Sequence, residues 1–198
     1  MLVFWQENLV LLAVPKTGTT ALAGALAPGA SMVLRDPPGL KHMSCRRYNR
    51  FLRPLLLQPD GQAPELMAVV RQPVDWLASW YRYRSRDALV GHPNSTRGIS
   101  FNDFVMEYCK DQPAPFAAVG SQAKFLRVDN DKVGVDYLFR YESWDKITNF
   151  LAQRLNRPVA PKQINVSPVM PTTLSPSVAA QLHDKRAAEF AIWQTGQA

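Results

Sequence analysis

Cysteine is nearly missing from this chain of 198 residues: Cys45 and Cys109 are the whole complement, and no metal-ligand spacing surrounds them. That excludes a disulfide-stapled scaffold and a cysteine-built zinc site, and it makes free thiols in a reducing compartment the expectation. Long apolar runs are missing too, since none approaches the roughly 18 to 20 consecutive residues that cross a bilayer. The opening stretch Met1 to Asn8 has neither the basic region nor the small-residue cleavage site of a signal peptide. On this reading the sequons Asn94-Ser95-Thr96 and Asn165-Val166-Ser167 are coincidental. No repeat, heptad run or low-complexity tract interrupts the chain. Acidic residues are in deficit, 16 against 23 Lys and Arg, and the formal charge of +7 favours polyanionic partners. Lys41, Arg46, Arg47, Arg50 and Arg53 cluster in one stretch and Arg82, Arg84 and Arg86 in another. No helix-turn-helix, RNA-recognition or zinc signature accompanies that charge, so both clusters read as a solvated basic rim around an anion site, with no nucleic-acid partner.

Hydrophobic residues make up 46% of the chain, enough to bury one substantial core, and strand and helix patterns alternate. The expectation is an α/β fold: one domain spanning 1–198, with a P-loop-like parallel sheet flanked by helices. The apolar run Leu9-Val10-Leu11-Leu12-Ala13 leads into Val14-Pro15-Lys16-Thr17-Gly18-Thr19-Thr20 and then into the helix former Ala21-Leu22-Ala23-Gly24-Ala25-Leu26. Strand, hydroxyl-rich turn and helix in that order make a phosphate cradle, because the first N–H groups of a helix have no partner within it. Lys16 supplies a mobile positive charge, Gly18 allows close backbone approach, and Thr17, Thr19 and Thr20 offer hydroxyls. The common nucleotide P-loop places its Lys after the last Gly, whereas Lys16 precedes Gly18 by two positions.

A second strand, turn and helix begins at Leu66-Met67-Ala68-Val69-Val70 and continues through Arg71-Gln72-Pro73 into Val74 to Tyr81. Pro73 suits the first helical turn, and Trp76, Leu77, Trp80 and Tyr81 recur at helical spacing. Arg71 and Ser79 are placed to converge on one phosphate, the first as a charged fork and the second as a hydroxyl donor.

These two motifs resemble those of the sulfotransferases that take their sulfuryl group from 3′-phosphoadenosine 5′-phosphosulfate (PAPS), in particular the carbohydrate and heparan-sulfate type. The resemblance implies that Pro15, Lys16, Thr17, Gly18, Thr19 and Thr20 bind the 5′-phosphosulfate and that Arg71 and Ser79 bind the 3′-phosphate. It extends, with less specific matches, through Ser121 to Leu126 and through the strand and turn Val135 to Glu142. A helix marked by Trp144, Ile147, Phe150, Leu151 and Leu155 follows. The implied reaction is transfer to a hydroxyl or amine on a glycan or small molecule, with release of adenosine 3′,5′-bisphosphate and no metal. Lys16 has a catalytic part in it. Membrane-anchored relatives exist in the family, so the missing anchor points to a cytoplasmic member. A P-loop kinase or NTPase and a non-catalytic module that binds PAPS or anionic glycans remain the alternatives.

The base that takes the acceptor proton is placed by the same resemblance. Ser31 to Leu34 reads as a strand, and the Lys41-His42-Met43-Ser44 segment after it makes His42 the candidate, with Ser44 as a helix cap. Asp36 and, more distantly, Glu65 are the carboxylate alternatives, while His92 and His183 read as surface residues. Residues 86 to 100 form a long loop, either an acceptor lid or plain surface. Pro158 to Pro176 forms an irregular connection to a last helix that Ser175 and Pro176 start and that carries Val178, Leu182, Phe190 and Trp193.

Overall fold

Strand-forming apolar segments build the sheet: β1 (Leu2–Phe4), β2 (Leu9–Leu11), β3 (Met32–Val33), β4 (Glu65–Val70) and β5 (Tyr137–Arg140), in the order β3-β1-β2-β4-β5. The computed structural model describes residues 1–129, 132–161 and 170–198. β2, β4 and β5 are parallel, with Leu11 paired to Met67 and Met67 to Tyr137. β1 runs against its two neighbours, so the sheet is mixed and mostly parallel in direction rather than wholly parallel. The sequence offered no sign of this strand. Leu2–Phe4 is too short to show a period, and only pairing with Leu9–Leu11 through a tight turn makes it a strand. The segment expected as a strand over Ser31 to Leu34 shrinks to the two residues of β3, paired to β1 at the sheet edge.

Both faces of the sheet are covered, which is why its strands read as continuous apolar runs. Val10, Leu66, Ala68, Val70 and Leu138 face a layer formed by α3 (Cys45–Arg47) with the turns after it, α6 (Gln122–Leu126) and α9 (Ala187–Thr195). Leu9, Leu11, Met67, Val69 and Phe139 face α1 (Thr19–Leu26) and α7 (Trp144–Arg154). A third cluster joins α4 (Pro73–Arg84), α5 (Phe101–Tyr108) and α8 (Pro176–Lys185) through Trp76, Tyr81, Phe104 and Leu182. The short α2 (Pro38–Lys41) precedes α3. The helices after the adjacent parallel strands β2 and β4 therefore enter different packing layers, the arrangement that in open α/β sheets leaves a crevice outside the carboxyl ends of the strands.

Helix starts follow the sequence closely. Gln72 caps α4, its side-chain oxygen accepting from the N–H groups of Val74 and Asp75, with Pro73 in the first turn. Ser121 and Ser175 cap α6 and α8 in the same way. Ser44 occupies the cap position of α3 but accepts no cap hydrogen bond. The single last helix expected after Ser175 is two, broken at Arg186, whose backbone leaves helical geometry (φ -128°, ψ 32°) and whose guanidinium donates to the carbonyls of Tyr108 and Lys110. Part of the proline-rich connection, 162–169, lies outside the described residues, and with it the sequon at Asn165. Among the described residues no helix is long and apolar enough to cross a membrane.

Candidate functional site

The turn between β2 and α1 is wound so that its amides point outward. Lys16 (φ 66°) and Gly18 (φ 75°) are both left-handed, alternating with ordinary residues in the manner of an anion-binding nest. The backbone N–H groups of Lys16, Thr17, Gly18, Thr19 and Thr20 make no hydrogen bond among the described residues. Trp76 holds the turn from outside by donating its indole N–H to the Pro15 carbonyl at 2.9 Å. Thr17 departs from expectation. Its hydroxyl is fully buried and donates inward to the Val14 carbonyl at 2.9 Å, so it braces the turn and is closed to a ligand. Thr19 and Thr20 make no side-chain hydrogen bond among the described residues.

Gly18 is required twice over. A Cβ there would lie 2.7 Å from the Trp144 ring and 3.0 Å from the Tyr141 ring, in a backbone conformation that costs an ordinary residue about 1–2 kcal/mol. Gly18→Ala is expected to lower unfolding free energy by about 2 kcal/mol or more, read as a fall in the urea midpoint at unchanged slope. An unshifted midpoint would contradict the nest geometry.

Arg71 stands at the carboxyl end of β4, next to the turn. Gln122, fully buried, accepts from the Arg71 N–H and donates to the Arg71 carbonyl, both at 2.9 Å. Glu189, also buried, in turn accepts from the Gln122 N–H and the Ser121 hydroxyl. The Arg71 guanidinium lies 4.5 Å from the Tyr141 ring centre, and its Nε is buried with no partner among the described residues. The Arg140-Tyr141-Glu142 segment frames this corner: Tyr141 carries Arg71, and Glu142 accepts from the Gln72 N–H and the Trp193 indole. Neither Gln122 nor Glu189 was marked as a brace in the sequence. Nothing local distinguishes them, and they act across 51 and 67 positions.

Ser79, Arg82 and Tyr83 share one face of α4 at spacings of three and four, and Arg86 follows in extended backbone just beyond the helix end. That face looks onto Lys16, whose ammonium stands 4.2 Å from the Tyr83 ring centre and 5.5 Å from that of Trp80. The Arg86 guanidinium lies 4.7 Å from the same Tyr83 ring. Ser79 is 9% exposed, and its hydroxyl has no partner among the described residues; the Trp80 indole N–H is likewise buried and unpaired. The basic run at 82, 84 and 86 therefore divides. Arg82 and Arg86 face the site. Arg84 turns away, 8% exposed, and donates to the Pro115 and Ala118 carbonyls, so it belongs to the framework and not to a solvated rim.

Burial first, and then the charges of Arg86, Arg71 and Arg82, together lower the Lys16 pKa from its ordinary value to about 8. Those four cations form one positive basin. Among the described residues none makes an ion pair with a carboxylate. A group of crowded cations, free amides and an unpaired buried Arg Nε has a surplus of donors, and an anion with several oxygens would satisfy it.

His42 is brought to the same turn. Its Nδ1 lies 2.7 Å from the Ala13 carbonyl, at the end of the run that enters the nest. A carbonyl only accepts, so Nδ1 carries the proton and the neutral ring keeps its lone pair on Nε2. Burial lowers the His42 pKa, the Ala13 bond raises it, and the Lys41 charge lowers it, with a net downward shift. Asp36 lies on the wall of a cavity that Thr19 and Thr20 also line. Glu65 is corrected: it begins β4 at the opposite end of the sheet, paired with Leu9, and is held by Arg154 and the Tyr137 hydroxyl. The loop from 86 to 100 is fastened to α4, the buried Thr96 hydroxyl donating to the Tyr81 carbonyl and the Tyr81 hydroxyl to that of Ile99. Both cysteines are buried free thiols, and burial pushes Cys45 up to about 12.

No protein-family model matches the chain, and no curated protein sequence matches it.

Proposed function

We propose that the chain is a PAPS-dependent sulfotransferase with a P-loop-like sulfotransferase fold, acting on a hydroxyl or amine acceptor in the cytoplasm. One observation carries the reading: the Lys16 turn and Arg71 follow adjacent parallel strands, their charges act on one another, and among the described residues neither has a carboxylate ion-pair partner. The nest amides with Thr19 and Thr20 would receive the 5′-phosphosulfate, and Arg71 with Ser79 the 3′-phosphate. Arg82 and Arg86 would add charge that suits a ligand phosphorylated at both ends. The acceptor oxygen attacks sulfur and forms the new S–O bond. The bond from sulfur to the bridging oxygen breaks, adenosine 3′,5′-bisphosphate leaves with that electron pair, and the acceptor proton passes to His42 Nε2. Lys16 stabilises charge on the departing oxygen.

The test is thermal stabilisation by adenosine 3′,5′-bisphosphate against AMP and against ATP with magnesium. A ligand that binds only the folded state stabilises it by mass action, about 2.7 kcal/mol at a hundredfold excess over Kd. Selective stabilisation by the bisphosphate, lost in Arg71→Ala, is the expected outcome. Equal or greater stabilisation by ATP with magnesium would overturn it in favour of a kinase.

A further inference from the structure

Beside the nest, on the side away from α4, a cavity of about 370 Å³ lies between α1, β3 and the chain leading into α2. Its volume falls in the range of about 300–1,000 Å³ typical of small-molecule sites. Leu2, Leu11, Val33 and Leu34 give it an apolar floor, and Thr19 and Thr20 make the wall shared with the nest. The remaining polar side chains are Arg35, Asp36 and Lys41, and the Met1 amino group, which donates to the Leu34 and Lys41 carbonyls, belongs to the same lining. None of these three has an ion-pair partner among the described residues. Ala13, whose carbonyl holds His42, also lines the space. Of the two candidate bases, Asp36 lines the cavity directly, and His42 stands behind Ala13, bonded to its carbonyl.

We propose that this cavity is the acceptor site and that it takes a small hydroxyl compound with an apolar body and one acidic group, of the size of a hydroxyaryl carboxylate. The proposal rests on the sulfotransferase reading. The apolar floor would hold the body, and Arg35 and Lys41 would receive the acid. The hydroxyl would lie toward the Thr19 and Thr20 wall, where the sulfuryl group would be presented. Transfer balances as given above: acceptor oxygen to sulfur, acceptor proton to the base, for which Asp36 stands in the cavity wall and His42 behind Ala13. A glycan chain fits this space poorly, because its many hydroxyls would be desolvated against leucine and valine without partners.

Gly24 provides the test. It lines the cavity, and a Cβ added to it meets nothing within 4 Å, so Gly24→Leu places a side chain in the space without crowding α1. The probe is 3-(4-hydroxyphenyl)propionate, with uncharged 4-ethylphenol and a glucuronate-containing hexasaccharide as comparisons. Ligand-observed NMR reads probe binding, thermal shift reads bisphosphate binding, and labelled PAPS reads transfer. Wild type is expected to bind and sulfate the propionate, and Gly24→Leu to lose both while keeping its bisphosphate shift. Lys41→Gln should weaken the propionate about tenfold, one decade in Kd, and leave 4-ethylphenol unchanged.

Undiminished propionate binding in Gly24→Leu, no probe binding in wild type, or hexasaccharide sulfation untouched by Gly24→Leu would each overturn the proposal. Gly24-dependent probe binding with no bisphosphate shift in wild type would sink the donor reading and the acceptor role together. The cavity would then remain a binding site of another kind.

Discussion

Lys16→Met is expected to lower the rate of sulfuryl transfer by about 10³-fold, while adenosine 3′,5′-bisphosphate still binds within about tenfold of wild type. Met keeps the apolar stem that packs near Tyr83 and Trp80 and removes only the charge. The bisphosphate retains Arg71, Arg82 and Arg86, so ground-state binding has three cations left. The developing charge on the leaving oxygen has no other cation within the turn itself. Equal losses in binding and in rate would show Lys16 to be a plain anchor, and unchanged turnover would sink its catalytic part.

The second large effect concerns His42 and pH. His42→Asn preserves a donor to the Ala13 carbonyl at the place of Nδ1 and removes the lone pair of Nε2, so the fold is kept while the base is lost. The expected fall in kcat is about 10²–10⁴-fold. In wild type, kcat/KM should rise with pH through a value below the ordinary histidine pKa, because burial disfavours the imidazolium and only the neutral ring accepts a proton. It should fall again near pH 8, because Lys16 must be charged to hold the leaving group and its pKa is lowered to about 8. The sign follows from the direction of each shift: both groups release protons earlier than usual, so both limbs move toward acid. Lys16→Arg should remove the alkaline limb and His42→Asn the acid one. An acid limb that persists in His42→Asn and vanishes in Asp36→Asn would transfer the role to Asp36.

Gly18 and the brace at Arg71 give this chemistry its support. The nest needs left-handed backbone at 16 and 18, the rings of Tyr141 and Trp144 leave no room for a side chain at 18, and Tyr141 also carries the Arg71 guanidinium. Phosphate turn and arginine are therefore coupled through one aromatic residue. Gln122 fixes the Arg71 backbone from the other side, leaving the guanidinium free to meet a ligand.

Much of this was legible in the chain itself. The β2 to α1 turn, Arg71, Pro73 and the cap at Ser175 are short-range features, set by φ preference, by the unpaired ends of helices and by periodicity within a dozen residues. Charge and the deficit of cysteine constrained the partners and the scaffold in the same local way. What periodicity could not show was direction. Arg82, Arg84 and Arg86 look alike on the page, yet each helical residue turns by about 100°, so Arg82 and Arg84 point to nearly opposite sides of α4, and Arg86 leaves the helix in extended backbone. Only the packing of α4 against α5 decided that Arg84 is framework and its neighbours face Lys16.

Long-range placement was equally hidden. Glu65 and His42 were rival bases by residue type, and the parallel pairing of β2 with β4 separates them, putting Glu65 at the amino end of the sheet and His42 at the carboxyl end with the nest. The Thr17 hydroxyl reads as a phosphate donor until the wound turn buries it against Val14. β1 exists only because a three-residue apolar segment finds an edge to pair with. Local backbone chemistry thus determined from sequence that a glycine-bearing, hydroxyl-rich turn stands between a strand and a helix. Which side chains surround that turn depended on contacts spanning tens of residues, and chain folding alone brings those together.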